Sequence, residues 1–296
     1  MKKTFEAHAK LNLVLDITGK RPDGYHDIRS VMQTIELHDD IEIETEPDRI
    51  NKIQVSCTNA GDFSGIKWDE SNLVYKAADL LLKSEAMKEK TPVSVRITVT
   101  KRIPDGAGMG GGSADAAAVL NGLNEMLGLG LKKDCLAETG AKIGADIPFC
   151  IYGNTALCEG IGEIVTPLPS APKMYCILLK PEISLSTKDM YRITDSYSST
   201  DPHPDAAGMI NALKTEDENE FFRSLGNFME PAAVHMCPEI NELRRSLSMA
   251  GAMASMMTGS GSTVFGLFTD FEKAQKTFER LNPPKVKKFI SSFYEA

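Results

Sequence analysis

Residues 106–113 read GAGMGGGS, five glycines in seven positions and then a serine. An alternating strand pattern, VSVRITVT at 93–100, precedes them, and a helical pattern runs from Ser113 to about Leu127. The N–H groups at a helix N-terminus lack intrahelical partners and sit at the positive end of the macrodipole. Glycines let such backbone approach an anion with no Cβ in the way. The spacing therefore predicts a phosphate loop made of Pro104, Asp105, Gly106, Ala107, Gly108, Met109, Gly110, Gly111, Gly112, Ser113 and Ala114. A flexible linker would not sit between two well-patterned elements. No lysine follows the glycines, which excludes a Walker A loop. Gly106, Gly108 and Gly111 satisfy GxGxxG formally, but helix occupies the stretch where a dinucleotide fold needs a second strand ending in an acid. The VAIK, HRD and DFG signals of protein kinases are absent.

Two further polar groups stand where chemistry is feasible. FEAHAKLNLVLD at 5–16 alternates with period two, which puts His8, Lys10 and Asn12 on one face of a strand. That face fits a sheet surface that meets water. Asp146, in GADIPF, fits a turn or N-cap aspartate.

The elements that must position these groups follow from the patterning. Strands are expected within 28–45, as two, and at 53–57, 93–100 and 174–181, with a last one at TVFGLF. A helix spans about 72–86, capped by Ser71 or Asn72, and the glycine-loop helix ends where Gly128 suits a C′ position. CLAETGAKIGADIPFCI at 135–151 reads as a helix, a tight turn and the start of a strand. Further helices are expected near 217–227 and 239–250, and a loop at 195–206. The acidic run EDENE at 216–220 suits a solvated first helical turn. The Pro-rich segment TPLPSAPKM near 166–174 suggests a boundary, giving domains 1–168 and 169–296.

Composition limits the function classes. The 296 residues carry 33 Lys+Arg against 41 Asp+Glu, a net charge of −8, which tells against a general nucleic-acid binder. MKKTFEAHAKLNL has no apolar h-region, and the longest apolar runs, such as AAAVL, are far too short to span a bilayer. No membrane partner and a cytoplasmic location are expected. The six cysteines form no CxxC pair and read as reduced thiols. No HExxH, zinc-finger or EF-hand spacing appears, so no protein-only metal cage is expected.

With these residues in place, the chain resembles the GHMP kinases (galacto-, homoserine, mevalonate and phosphomevalonate kinases). AKLNLVLDI at 9–17, IPDGAGMGGGSADAAAVLNGLN at 103–124 and MTGSGSTVFGLF at 257–268 are similar to the family's three motifs, in order. RPDGYHDI at 21–28 and GADIPFCIYGNTALCEGIGE at 144–163 bring it nearest to a member whose acceptor is cytidine diphosphate methylerythritol, in the non-mevalonate isoprenoid precursor pathway. Ala114 stands where the family usually has a second loop serine, Met109 replaces a leucine, and Thr258 replaces a serine but keeps the hydroxyl.

The resemblance implies an α+β fold of two domains. An N-terminal ATP-binding domain of mixed strands would carry the phosphate-loop helix, and a C-terminal sheet would have helices on one side, with the site in the cleft between. It implies ATP with Mg²⁺, Lys10 and Asp146 as catalytic residues, and Ser113 touching the metal or the β-phosphate. Asn72 and Lys101 would line the adenosine site. Asn12, Tyr25, His26 and Tyr191 would hold the acceptor, with the two tyrosines sandwiching a cytosine. Asp146 as base or as orienting group stays open, as does the oligomeric state. The alternatives are another GHMP small-molecule kinase or a non-catalytic nucleotide-binding protein on the same fold.

Overall fold

The computed structural model describes residues 1–59, 63–196 and 202–295. Of the loop expected at 195–206, residues 197–201 lie outside the described residues. The chain folds as two compact units that interleave in sequence. Unit one is Met1–Ala9, His38–Asp105 and Gly110–Tyr152; unit two is Lys10–Leu37, Gly106–Met109 and Gly153–Ala296. The boundary expected near residue 168 falls inside unit two. Two long strands, β1 (Lys2–Lys20) and β2 (His26–Pro47), give each unit one stretch apiece. The segment expected to hold two strands is a single one, since neither glycine nor proline interrupts residues 28–45.

In unit one, β3 (Lys52–Cys57) is followed by α1 (Leu73–Leu82) and β4 (Val93–Thr100). β4 runs parallel to β3 and antiparallel to Asp40–Pro47 of β2. The alternate residues Val93, Val95, Ile97 and Val99 are buried. With Ile41 and Ile43 they share one core with α1, α2 (Gly111–Met126), α3 (Lys133–Ala141) and α4 (Ile147–Tyr152). The small residues of α2 allow a close approach: a Cβ on Gly122 would meet Ile43 Cδ1 and Phe5 Cε2 at 2.8 Å. Gly128, at φ +58°, ends α2, and Leu129 N–H donates to Asn124 O at 3.0 Å, completing a Schellman cap. IPFCIY, expected to begin a strand, forms α4 instead. Pro148 fits the first helical turn, where no N–H is needed, and a run of six apolar residues does not reveal its own period.

Unit two continues with β5 (Thr155–Gly160), antiparallel to Ile28–Gln33 of β2, and β6 (Ile164–Pro167) paired to β5. Then come β7 (Tyr175–Pro181), α5 (Thr187–Thr194), α6 (Ala206–Thr215), α7 (Glu218–Ser224), β8 (Gly226–Asn227), α8 (Glu230–Met236) and α9 (Glu239–Met249). β9 (Ala254–Met257), β10 (Val264–Phe268), α10 (Phe271–Arg280) and β11 (Val286–Ser292) complete it. The acidic run at 216–220 spans the α6–α7 junction, where Asp217 caps α7 by accepting from Glu220 N–H. β8 pairs in parallel with Val14–Leu15, while β11, β7, β10 and β9 form an antiparallel sheet in that order. The central strands β7 and β10 are apolar runs buried on both faces, and they pack with residues of α8 and α9 in one core. Among the described residues no helix is long and apolar enough to cross a membrane. Among the described residues no two cysteines are joined by a disulfide.

Candidate functional site

Unit two assembles three of the singled-out segments. Lys10 and Asn12 are only 4% and 1% exposed, so this stretch of strand is not the solvated face that the alternation also allowed. Lys10 Nζ donates to Asn12 Oδ1 at 2.6 Å, a contact that orients the ammonium without cancelling its charge. Asn12 Nδ2 donates to Ser30 Oγ at 2.8 Å, and Ser30 Oγ to Val14 O at 2.6 Å. Asn12 N–H donates to Thr258 Oγ1 at 3.0 Å, so the hydroxyl that Thr258 retains ties 257–268 to β1. Lys10 N–H donates to Met109 O at 3.1 Å, which fixes the glycine segment to the same strand. Gly108, at φ +72°, lies against that turn so closely that a Cβ would meet Thr258 O at 2.4 Å. Ala107 and Met109 are buried, while Gly106 is exposed beside Ser184.

Sequence reasoning missed the supports of the 257–261 turn. Asn227 Nδ2 donates to Met257 O at 2.9 Å and Gly259 O at 2.8 Å, and Glu230 Oε2 accepts from Met257 N–H at 2.6 Å. Asn227 and Glu230 sit in the polar-apolar mixture GNFMEP, which carries no period that marks them as buried.

The expected acceptor residues divide. The β1–β2 turn is closed by Arg21 N–H to Tyr25 O at 2.7 Å and leaves Tyr25 62% exposed. His26 is buried and stacks on Tyr191, with centroids 4.7 Å apart and planes 14° from parallel. One face of Tyr191 is thus covered by His26. His26 Nε2 lies 2.7 Å from Asp195 Oδ1, and Lys20 Nζ donates to Asp195 Oδ2 at 2.5 Å. The Lys20 ammonium, then His26, holds the Asp195 carboxyl below the usual carboxylate range.

Unit one holds the helical half of the glycine loop. Gly110, at φ +69°, is the N-cap of α2, and Gly111, Gly112, Ser113 and Ala114 form its first turn. Pro104 and Asp105 lead into it, and Asp105 is exposed. A Cβ on Gly144 would lie 3.8 Å from Ser113 Oγ, so the turn before Asp146 borders the head of α2. Asp146 is half-buried at the head of α4, where its carbonyl accepts from Cys150 N–H at 3.2 Å. Asn72 caps α1: its Oδ1 accepts from Val74 N–H at 2.9 Å and its Nδ2 donates to Lys67 O at 2.7 Å. A Cβ on Gly112 would come within 3.6 Å of Leu73, which places the head of α1 beside that of α2.

Lys101 is buried between two carboxylates, Asp39 at 2.5 Å and Asp115 at 2.8 Å. Asp39 Oδ1 also accepts from the N–H groups of Arg102 and Ile103, ordering the chain just before the glycines. Neither aspartate was singled out in sequence, although Asp115 alone among alanines in SADAAA is a signal for a buried partner. Burial pushes the Asp115 carboxyl up to about 8, with Lys101 opposing and Asp39 adding to the rise. Its Oδ1 has no hydrogen-bond partner.

A carboxyl raised in the folded state from 3.8 stabilises most below that value and loses the contribution as pH rises to about 8. The stability of wild type relative to Asp115→Asn should therefore fall steadily between those limits. Urea unfolding of both proteins across that range is the check; a difference that is flat with pH would place Asp115 outside this titration.

The family descriptions "GHMP kinases N terminal domain" and "GHMP kinases C terminal" match residues 72–154 and 209–285. The chain is 39% identical to a 4-diphosphocytidyl-2-C-methyl-D-erythritol kinase of Lachnoclostridium phytofermentans, over 99% of this chain and 98% of the relative. It is 42% identical to the kinase of that name from a Geobacillus species, over 95% and 93% of the two chains. A crystal structure of 4-(cytidine 5'-diphospho)-2C-methyl-D-erythritol kinase superposes with a TM-score of 0.80 at 28% identity, covering 99% of this chain and 100% of that one. A homoserine kinase from Cytophaga hutchinsonii shares the fold at 20% identity, with a TM-score of 0.77 and coverage of 99% and 94%. The chain belongs to the GHMP kinase family.

Proposed function

We propose that the protein is an ATP-dependent small-molecule kinase that phosphorylates the 2-hydroxyl of 4-diphosphocytidyl-2-C-methyl-D-erythritol, a step of non-mevalonate isoprenoid precursor synthesis. The observation that carries the reading is the joining of two distant segments to one strand: Met109 O accepts from Lys10 N–H, and Thr258 Oγ1 accepts from Asn12 N–H. The names of the full-length relatives support the acceptor. The net charge of −8 supports a small-molecule rather than a nucleic-acid partner, and we place the enzyme in the cytoplasm.

ATP phosphates fit the head of α2. Glycines at 110, 111 and 112 leave its backbone bare, and the first N–H groups of a helix attract anions. Mg²⁺, when bound with ATP, would offset phosphate charge, and Ser113 Oγ, in the first turn of α2, would touch it. Asn72 and Lys101 would border the adenosine side, Lys101 by ordering residues 101–103 from its carboxylate pair. Lys10 would offset charge on the transferring phosphoryl group, and Asp146 would accept or orient the hydroxyl proton. Asn12 and His26 offer donors and acceptors to the acceptor, and Tyr25 and Tyr191 offer rings to its cytosine. The family matches at 72–154 and 209–285 lie on either side of residue 168, which supports 1–168 as the ATP-binding domain and 169–296 as the second domain in the sense of the family, although the compact units interleave.

The test is ADP release across a panel of acceptors: the cytidyl substrate should turn over, while mevalonate, galactose and homoserine should not. Turnover of one of those three and not of the cytidyl compound would refute the acceptor. Base stacking on one ring contributes about 1–3 kcal/mol, so Tyr191→Ala should raise KM for the cytidyl acceptor about 5- to 150-fold and leave KM for ATP almost unchanged. Tyr191→Phe keeps the ring and should cost little. Parallel loss of acceptor affinity, ATP affinity and melting temperature in Tyr191→Ala would make the ring a core residue instead.

A further inference from the structure

In unit one, Met1 and Thr45 exchange both terminal hydrogen bonds of an antiparallel pair, at 2.8 and 2.6 Å. Counting inward from that pair sets Glu6 opposite Asp40 and His8 opposite His38. These are positions of the narrow, non-hydrogen-bonded kind, where facing side chains come closest. Ala7 and Asp39, between them, are buried on the other face, so the four polar side chains share the outer one. Glu6 Oε2 lies 3.2 Å from His8 Nε2, and Glu6 Oε1 lies 3.7 Å from His38 Nε2. The two imidazole centroids are 5.1 Å apart. One ligand atom from each of Glu6, His8 and His38 lies within 4.8 Å of the other two. Zinc bonds to nitrogen and oxygen of about 2.1 Å give a tetrahedral edge of roughly 3.4 Å, so small rotations would bring all three onto one ion.

We propose that Glu6, His8 and His38 form a binding site for a divalent transition-metal ion of the zinc type, with water filling the remaining coordination. Two imidazoles and one carboxylate suit zinc or its neighbours in the series, whereas Mg²⁺ prefers oxygen ligands throughout. The site is thereby distinct in chemistry from any Mg²⁺ carried by ATP. Asp40, 3.6 Å from His38 Nε2, pairs with Arg102 at 2.5 Å and so balances the guanidinium beside the site. His8 and His38 are half-buried and Glu6 is exposed, which leaves the ion a path from solvent. The sequence hides the site because His38 joins Glu6-x-His8 only through strand pairing.

The experiment is calorimetric titration of the full chain with ZnCl₂, and separately with MgCl₂, in the absence of nucleotide. We expect one zinc per chain at micromolar affinity or tighter and no comparable Mg²⁺ binding. His8→Gln and His38→Gln should each weaken zinc by at least about tenfold, the scale of disturbing a ligand set. His235→Gln, on α8, should leave zinc affinity unchanged. Co²⁺ in place of zinc should show visible ligand-field bands without a thiolate charge-transfer band, which separates this site from binding at exposed Cys135. Circular dichroism and melting of the metal-free variants report folding. Should either histidine variant misfold, Glu6→Gln, at an exposed position, supplies the same comparison. Zinc affinity unchanged in the folded variants, a thiolate band, or no saturable zinc binding would each overturn the proposal.

Discussion

Gly108→Val should abolish ATP-dependent turnover, while Gly106→Ala should keep most of it. At Gly108 an added Cβ would meet two backbone oxygens, Thr258 O at 2.4 Å and Gly261 O at 3.1 Å, at φ +72°. Backbone cannot rotate aside as a side chain does. The glycine segment must therefore leave the 258–261 turn, and Met109 O, the acceptor of Lys10 N–H, moves with it. A displacement of about 1 Å near a reacting group costs on the order of 10² in rate, and the proposed phosphate contacts run along this loop. The left-handed backbone adds about 1–2 kcal/mol against any residue with a Cβ. Gly106 has a similar φ of +58°, but its Cβ would meet the Ser184 hydroxyl at 2.9 Å, a side chain free to turn. The strain is thus shared by the two variants and the backbone collision is not. Calorimetric ATP titration beside kcat/KM on folded protein reads the difference. Unchanged ATP affinity in a folded Gly108→Val protein would remove the segment from phosphate binding.

What the sequence could reveal was set by the range of each interaction. VSVRITVT and the alanine-rich stretch after Ser113 carry their own periods, and both became the expected strand and helix. The α1 cap, narrowed to Ser71 or Asn72 and found at Asn72, and Gly128 as the α2 stop were legible because capping is local. Lys10 and Asp146 stood out by motif, but the burial of Lys10 was not readable, since a period-two count cannot say whether the polar face meets water. The Asp39–Lys101–Asp115 cluster stayed hidden because Asp39 and Lys101 are 62 residues apart and meet only through the pairing of β2 with β4. His38 reached Glu6 and His8 by the same means. The stack of Tyr191 on His26 likewise depends on where α5 lands against β2, which no local pattern encodes.

Asp146→Asn should lower kcat by about 10²–10⁴, the contribution of a positioned acid–base group, with little change in KM for ATP. The substitution keeps the shape of the side chain. The backbone that opens α4, with Ile147 N–H donating to Gly144 O at 3.2 Å and Cys150 N–H to Asp146 O at 3.2 Å, does not depend on the carboxylate charge. The head of α2 beside Gly144 should therefore stay in place, and ATP should still bind. What is lost is the negative charge to which the proposed mechanism gives the accepting or aligning of the hydroxyl proton. The pH profile separates these two roles. If Asp146 removes the proton, wild-type kcat rises with pH through the carboxyl range, and the variant loses that limb. If it only orients the hydroxyl, the variant is slower throughout and the shape of the profile is kept. Phosphoryl transfer leans on charge stabilisation and positioning, so the second outcome fits a loose transition state, in which the hydroxyl loses its proton late. A loss of less than about tenfold in either profile would take Asp146 out of the chemistry, since a positioned acid–base group contributes more than that. Asp146 would then be a turn residue that places the head of α4.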